Sequence, residues 1–180
     1  MLLNLGKSLP PASSRIANIP DGVAGVRATL ELMAKLARAG KKQLPVRLAA
    51  LQITQRLPQR GYSEEVAALH AFVRDRIRYV QDVRGVETLQ DPVRTLQLRA
   101  GDCDDKSVLL AALLESIGHP ARFVAVGFRP GEWSHVYVET RAGLRGRRGR
   151  SIWLPLETCA PDFEPGEAPA GVRQRMVWYV

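Results

Sequence analysis

Cysteine is scarce in this sequence, and long apolar runs are missing. The chain of 180 residues has two cysteines, Cys103 and Cys159, which are too few for a disulfide framework. No apolar stretch approaches the roughly 20 residues that a membrane-spanning helix requires. We therefore expect neither structural disulfides nor a membrane span.

The start of the chain lacks the features of a secretory leader. Met1 to Leu9 include few apolar residues, one lysine and no small-residue cleavage pattern, so we expect a cytoplasmic protein. Three prolines without any periodicity predict an extended arm over residues 1–20. The length favours one domain, which we expect over residues 21–180.

Acidic residues are also missing from one basic segment. The formal net charge is +8, and five arginines lie between Arg141 and Arg150 without a single acid. The simplest interpretation is a solvated loop, and contact with phosphate or carboxylate groups is the alternative. Nucleic-acid binding is disfavoured, because the segment has no interleaved aromatic residues and the chain has no known binding motif.

Helical periodicity dominates the first two thirds of the chain. Apolar spacing predicts helices over residues 23–39, 45–57 and 63–79, with Gly40 as a C-cap and Ser63 as an N-cap. His70 lies on the apolar face of the third helix and is interpreted as a core histidine with its hydrogen bonds satisfied. A further helix is predicted from Cys103 to about Ile117, between Asp102 as N-cap and Gly118 as C-terminal stop.

Three segments rich in β-branched and aromatic residues follow. They predict strands over residues 121–128, 134–140 and 152–158. Helices followed by meandering strands are typical of an α+β fold, so we expect an antiparallel sheet packed on the Cys103 helix.

Cys103 is the first candidate for chemistry. At a helix start, free N–H groups and the positive end of the dipole favour a thiolate and a lowered thiol pKa. The alternative is a cysteine packed in the core, because Cys103 shares an apolar helical stripe. The neighbouring Asp102, Asp104 and Asp105 favour a helix start near water, and capping is preferred over a cation site for these carboxylates.

A histidine and an acid flank the arginine-rich segment. Symmetrical antiparallel pairing across it would set Thr140 opposite Ile152 and His135 opposite Glu157, close enough for a hydrogen bond. That bond would orient the imidazole as a base for a thiol. Cys159 has the same strand parity as Glu157, so it could face the site, although a small buried thiol is the preferred interpretation.

Several motifs resemble those of the transglutaminase-like superfamily. Residues 101–107 (GDCDDKS) and 118–122 (GHPAR) are similar to its nucleophile segment, and 134–139 (SHVYVE) and 153–158 (WLPLET) are similar to its histidine and acid strands. The resemblance covers about residues 63–158. It implies a papain-like core without metal or cofactor and a covalent acyl-enzyme, with Cys103 as nucleophile, His135 as base and Glu157 as the orienting acid.

Two positions depart from or extend the family pattern. The family usually has aspartate where Glu157 stands, so the imidazole could be oriented differently. Gln97 precedes Cys103 by six residues, the spacing of the oxyanion glutamine in papain-like enzymes, and is a candidate donor beside the Cys103 N–H.

The function that we expect is acyl transfer on a protein, a peptide or another amide, by hydrolysis or transamidation. The alternative is a non-catalytic structural or interaction protein, such as a component of a phage or prophage particle. The proline-rich start and the segment 172–180, with Trp178 and Tyr179 available to partners, favour that alternative.

Overall fold

Helices occupy most of the first part of the chain, and the main sheet follows them. The computed structural model describes residues 22–58, 61–82, 88–141 and 152–180. Within these ranges the helices are α1 Gly22–Gly40, α2 Leu44–Thr54, α3 Tyr62–Arg76, α4 Pro92–Leu98 and α5 Cys103–Ser116. The strands are β1 Arg78–Tyr79, β2 Ala100–Gly101, β3 Ala121–Gly127, β4 His135–Thr140, β5 Leu154–Leu156 and β6 Gln174–Tyr179.

The larger sheet is antiparallel and has the order β5-β4-β3-β6. β1 and β2 form a separate parallel pair that sets Tyr79 beside Gly101, two residues before Cys103. The predicted α+β class is confirmed. None of the described helices combines the length and the apolar character needed to cross a bilayer.

Helix α5 forms the centre of the core. Its six residues from Val108 to Leu113 are fully buried, and it contacts the other four helices as well as β3 and β4. A helix that is apolar on all sides has no face for water and must be enclosed. Its first residue, Cys103, therefore lies where the helices meet the sheet.

Some predicted boundaries are wrong. The N-cap of α3 is Gly61 rather than Ser63, and the helix ends at Arg76 because Arg78 and Tyr79 pair with β2.

Gly40 is the last residue of α1 rather than a cap beyond it. A Cβ on Gly40 would lie 2.4 Å from Cγ of Pro92, so the glycine permits close contact between α1 and α4. Gly118 stops α5 at a φ of +97°, as predicted.

Most of the segment 172–180 is the strand β6. β6 pairs with β3 along its length, and Trp178 packs against the core while Tyr179 stays 56% exposed. The expectation that both aromatics are available to partners is therefore wrong for Trp178. The arm predicted over residues 1–20 and the arginine-rich segment after Arg141 lie outside the described residues.

Candidate active site

The start of α5 lies against the start of β4. The Asp102 carboxylate accepts hydrogen bonds from the N–H groups of Asp104 and Asp105 at 3.0 and 3.1 Å, so the predicted N-cap is confirmed. One turn later, Ser107 Oγ donates to the carbonyl of Val136 at 3.3 Å. The Val136 N–H contacts the Cys103 thiol. Cys103 is thereby held next to the peptide that joins His135 to Val136.

His135 and Glu157 form the predicted side-chain contact. His135 is the first residue of β4, and its Nε2 lies 2.5 Å from Glu157 Oε2. The carboxylate is 2% exposed, and its other oxygen accepts the Cys159 N–H at 2.7 Å. Because Nε2 meets the carboxylate, the other ring nitrogen, Nδ1, is left for a further partner.

The strand register behind this contact differs from the predicted one. Thr140 pairs with Leu154 rather than with Ile152, and Val138 pairs with Leu156. The pairing of His135 directly opposite Glu157 is therefore wrong by two residues. Because side chains alternate with a period of two, a slip of two residues keeps the expected strand faces. The error arose because Ile152 lies outside β5.

Cys159 belongs to the same cluster as His135 and Glu157. One ligand atom from each of the three side chains lies within 4.8 Å of the others. Cys159 is half-buried, so its interpretation as a small buried thiol is wrong. Burial and the neighbouring Glu157 raise the pKa of its thiol. The shared strand parity of residues 157 and 159 was the sequence signal for this placement.

The charges around Cys103 favour the neutral thiol. Burial, followed by the carboxylates of Asp104 and Asp102, raises the pKa of Cys103, and the Val136 N–H opposes this only in part. The thiol donates a long hydrogen bond of 3.5 Å to Asp104. The expectation of a lowered thiol pKa is therefore wrong, because burial and the adjacent acids act on the thiol more strongly than the Val136 N–H does.

Two further groups close to the thiols, Asp102 and Tyr79, have raised pKa values. Burial raises the pKa of Asp102 to about 7, although the N–H groups of Asp105 and Asp104 act in the opposite direction. The phenol of Tyr79 is close to both Cys103 and Cys159, and burial followed by these two thiols raises its pKa to about 12. Tyr79 was not singled out in the sequence, since its proximity depends on the pairing of β1 with β2.

A layer of buried polar residues supports the site from α3 and α5. His70 is fully buried, and its Nε2 lies 2.5 Å from the carbonyl oxygen of Glu157. Lys106 Nζ donates to the carbonyl of Ile77 at 2.8 Å and that of Arg74 at 3.4 Å, at the end of α3. The helical position of His70 was visible in the sequence, but its partner was not, because 87 residues separate the two.

Gln97 and Asp105 were also singled out in the sequence. Gln97 is exposed on α4, and its assignment as an oxyanion donor stays a prediction. Asp105 accepts hydrogen bonds from the N–H and Nε2 of Gln90, at 2.7 and 2.5 Å. The carboxylates of Asp102 and Asp105 thus serve the helix start and the segment before α4.

Comparisons with known proteins agree with this architecture. The family model described as the transglutaminase-like superfamily matches residues 49–158. Calcium-bound LapG of Legionella pneumophila superposes with a TM-score of 0.53 at 16% identity, over 83% of this chain and 87% of LapG. A crystal structure described as a candidate protease from Parabacteroides distasonis gives a TM-score of 0.52 at 17% identity.

The Parabacteroides distasonis protein is much longer than this chain. The match covers 80% of this chain but 31% of the Parabacteroides distasonis protein, so this chain corresponds to a part of that molecule. At these identities both structures show a shared fold and nothing more. None of the curated proteins matches the chain.

Proposed function

The chain belongs to the transglutaminase-like superfamily, whose model matches more than half of it, and we propose that it is a thiol-dependent acyl-transfer enzyme. In this proposal Cys103 is the nucleophile, His135 the general base and Glu157 the residue that orients the imidazole. The observation that supports it most is the 2.5 Å contact of His135 Nε2 with the buried Glu157 carboxylate, next to the start of α5.

The reaction would proceed through an acyl-enzyme. Cys103 Sγ attacks the carbonyl carbon of an amide or ester as His135 Nδ1 takes the thiol proton, and a tetrahedral intermediate forms. The C–N or C–O bond then breaks, and the imidazolium gives its proton to the leaving group. Water or an amine attacks the thioester, His135 removes the proton of that nucleophile, and the thiol is restored. Hydrolysis and transamidation differ only in this last nucleophile.

The developing oxyanion needs a donor close to Sγ. The Asp102 carboxylate engages the N–H groups of Asp104 and Asp105, and the N–H of Cys103 is not part of this cap. The N–H of Cys103 is therefore the first candidate donor to the oxyanion, as in other sites built on a helix start. Gln97 stays a second candidate from its spacing alone.

The resting site would hold a neutral Cys103 thiol. Burial and the acids at positions 102 and 104 raise the Cys103 pKa, so a preformed thiolate is disfavoured. Proton transfer to His135 must then accompany attack, which makes the base essential. Glu157 contributes by stabilising the imidazolium that forms.

The test uses p-nitrophenyl acetate, an activated ester that acylates accessible nucleophilic thiols. We expect a burst of p-nitrophenol and one acetyl group on Cys103 by peptide mass spectrometry. Cys103→Ser should remove the burst, and His135→Ala should reduce its rate by roughly 10²-fold or more. Cys159→Ser is the matched control and should keep the burst. Acetylation of Cys159 instead of Cys103, or no effect of His135→Ala, would refute the assignment.

A second candidate function is a non-catalytic structural or interaction protein, such as a particle component. The exposed ring of Tyr179 on β6 favours it, because aromatic side chains are enriched where proteins meet their partners. On this alternative, folded protein should show no burst, and Cys103→Ser should leave every measured property except thiol content unchanged.

A further inference from the structure

Cys159 provides the site with a donor set that the acyl-transfer reaction does not use. The reaction requires one thiol, yet a second thiol lies within 4.8 Å of the ligand atoms of His135 and Glu157. His135 and Cys159 are half-buried, so solutes can reach the cluster from outside, while Glu157 closes it on the inner side.

These three side chains are the donors that zinc and similar thiophilic divalent cations bind. Zn²⁺ takes thiolate, imidazole and carboxylate ligands, and sites with three protein ligands keep a fourth position open to water. Hard cations such as Ca²⁺ and Mg²⁺ prefer sets of oxygen ligands, so a Cys-His-Glu group does not suit them. The chemistry of the donors thus selects a borderline-soft metal.

The distances allow such an ion after small side-chain movements. Tetrahedral coordination at Zn–N and Zn–S lengths of about 2.0 and 2.3 Å separates neighbouring donors by roughly 3.3–3.6 Å. His135 Nε2 and Glu157 Oε2, now 2.5 Å apart, would open by about 1 Å, and the widest pair in the cluster would close by a similar amount. Both changes are within the range of a rotamer adjustment.

The segment that supplies two of the ligands is already held in place. The Cys159 N–H donates to Glu157 Oε1 at 2.7 Å, and His70 Nε2 lies 2.5 Å from the Glu157 carbonyl oxygen. Hydrogen bonds of this kind orient ligands and raise metal affinity. The Glu157–Cys159 segment therefore needs little ordering when an ion binds.

We propose that His135, Glu157 and Cys159 form a binding site for Zn²⁺ or a similar thiophilic divalent cation, and that its occupation switches off the thiol site. Binding replaces the proton of the Cys159 thiol, which is released to solvent, and engages an imidazole nitrogen and the carboxylate. His135 then loses the partner that orients it. Metal binding does not depend on the proposed function, whereas the inhibition rests on it.

The test for binding uses Co²⁺ as a spectroscopic substitute for Zn²⁺. We expect one equivalent of Co²⁺ to give a thiolate-to-cobalt charge-transfer band with the reduced protein, and Zn²⁺ to displace it. Cys159→Ser should abolish the band and weaken Zn²⁺ binding by at least about tenfold. Cys103→Ser should retain both, which makes the two cysteines a matched pair. His119→Gln alters another His–carboxylate contact, with Glu65, and should also leave binding unchanged.

A second measurement works on the unaltered protein. Zn²⁺ should protect Cys159 from iodoacetamide, as peptide mapping can show, even if the serine variant folds poorly. Loss of the band in Cys103→Ser, its persistence in Cys159→Ser, absence of a band in the wild type, or no protection of Cys159 would each overturn the metal site.

The inhibition is measured separately from the binding. Zn²⁺ should suppress the p-nitrophenol burst in the wild type at concentrations that leave the burst of Cys159→Ser intact. A wild-type burst that persists at saturating Zn²⁺ would overturn the switch. If the charge-transfer band forms but Cys103 is never acylated, the proposed function fails while the metal site stands.

Discussion

The Nε2 atom of His70 donates a hydrogen bond to the main-chain oxygen of Glu157 at 2.5 Å, so a buried helical side chain positions the residue whose carboxylate meets His135. A carbonyl oxygen can only accept, which places the ring proton on Nε2. Burial lowers the pKa of His70, so the imidazole is neutral. Within the described part of the chain its Nδ1 has no partner, so one hydrogen bond accounts for the whole polar role of the ring.

Replacing His70 tests this positioning. His70→Leu should reduce the free energy of unfolding by about 1–3 kcal/mol, because the Glu157 carbonyl loses a buried donor. It should also slow acylation of Cys103, since the Glu157 carboxylate is held less firmly. His70→Gln retains a donor and should recover part of both losses. Equal acylation rates in the Leu variant and the wild type, measured on folded protein, would show that His70 serves packing alone.

Glu157→Gln should weaken stability at neutral pH more than in acid. Burial by itself would raise the pKa of Glu157, but the hydrogen bonds from His135 and the Cys159 N–H hold it below its ordinary value. A lowered folded-state pKa stabilises the fold above the unfolded value, and this contribution disappears as the pH falls through the folded one. The stability gap between wild type and variant should therefore narrow below about pH 4. Denaturant unfolding at pH 3 and pH 7 would measure it, and a constant gap would contradict the prediction.

Asp102→Asn should have the opposite pH dependence. Burial raises the pKa of Asp102 to about 7. A raised carboxyl pKa means that the folded protein binds the proton more tightly, so this group costs stability as the pH rises from about 4 to 7. Asparagine can still cap α5 but does not ionise. Between pH 4 and pH 7, the free energy of unfolding of the variant should rise relative to that of the wild type by about 2–4 kcal/mol. A difference that does not change with pH in thermal melts would rule out a raised pKa.

Gly101→Ala should disturb the start of α5. A Cβ at this position would lie 2.5 Å from Cβ and 2.8 Å from Oδ2 of Asp105, closer than real contacts allow. Either β2 or the first turn of α5 must shift, and Cys103 shifts with it. We expect the free energy of unfolding to fall by about 1–3 kcal/mol and the acylation of Cys103 to be slower. Because Gly101 is not among the described glycines at positive φ, this loss would report the steric contact with Asp105 rather than backbone strain. A Gly101 variant as active as the wild type would contradict the tight contact.

Local signals were sufficient for the elements that contain Cys103 and His135. Asp102 as a cap, Gly118 at positive φ and the continuous apolar run between them identified α5 and its first residue, Cys103. Enrichment in β-branched and aromatic residues located β3 and β4 closely. These features depend on interactions between residues a few positions apart, so the sequence contains them directly.

The lack of such local signals explains why β1, β5 and β6 were not predicted with their observed bounds. A strand of two or three residues has no periodicity to detect, and β5 has three. No strand was assigned to the segment that forms β6, because its partner, β3, lies about 50 residues earlier. Strand pairing over such a separation is decided by the whole core rather than by either segment.

The sequence proposed Cys103, His135 and Glu157 as the candidate site, and the predicted contact of His135 with Glu157 is present although the strand register was wrong by two residues. Strand parity had placed Cys159 on the same side as Glu157, but its closeness to the His135–Glu157 pair and the support from His70 depended on the folded arrangement of α3 and the sheet. So did the pKa of Cys103, because burial and neighbouring charges act through space. A pattern along the chain records which residues can form an element, but only packing decides which charges and donors surround a given thiol.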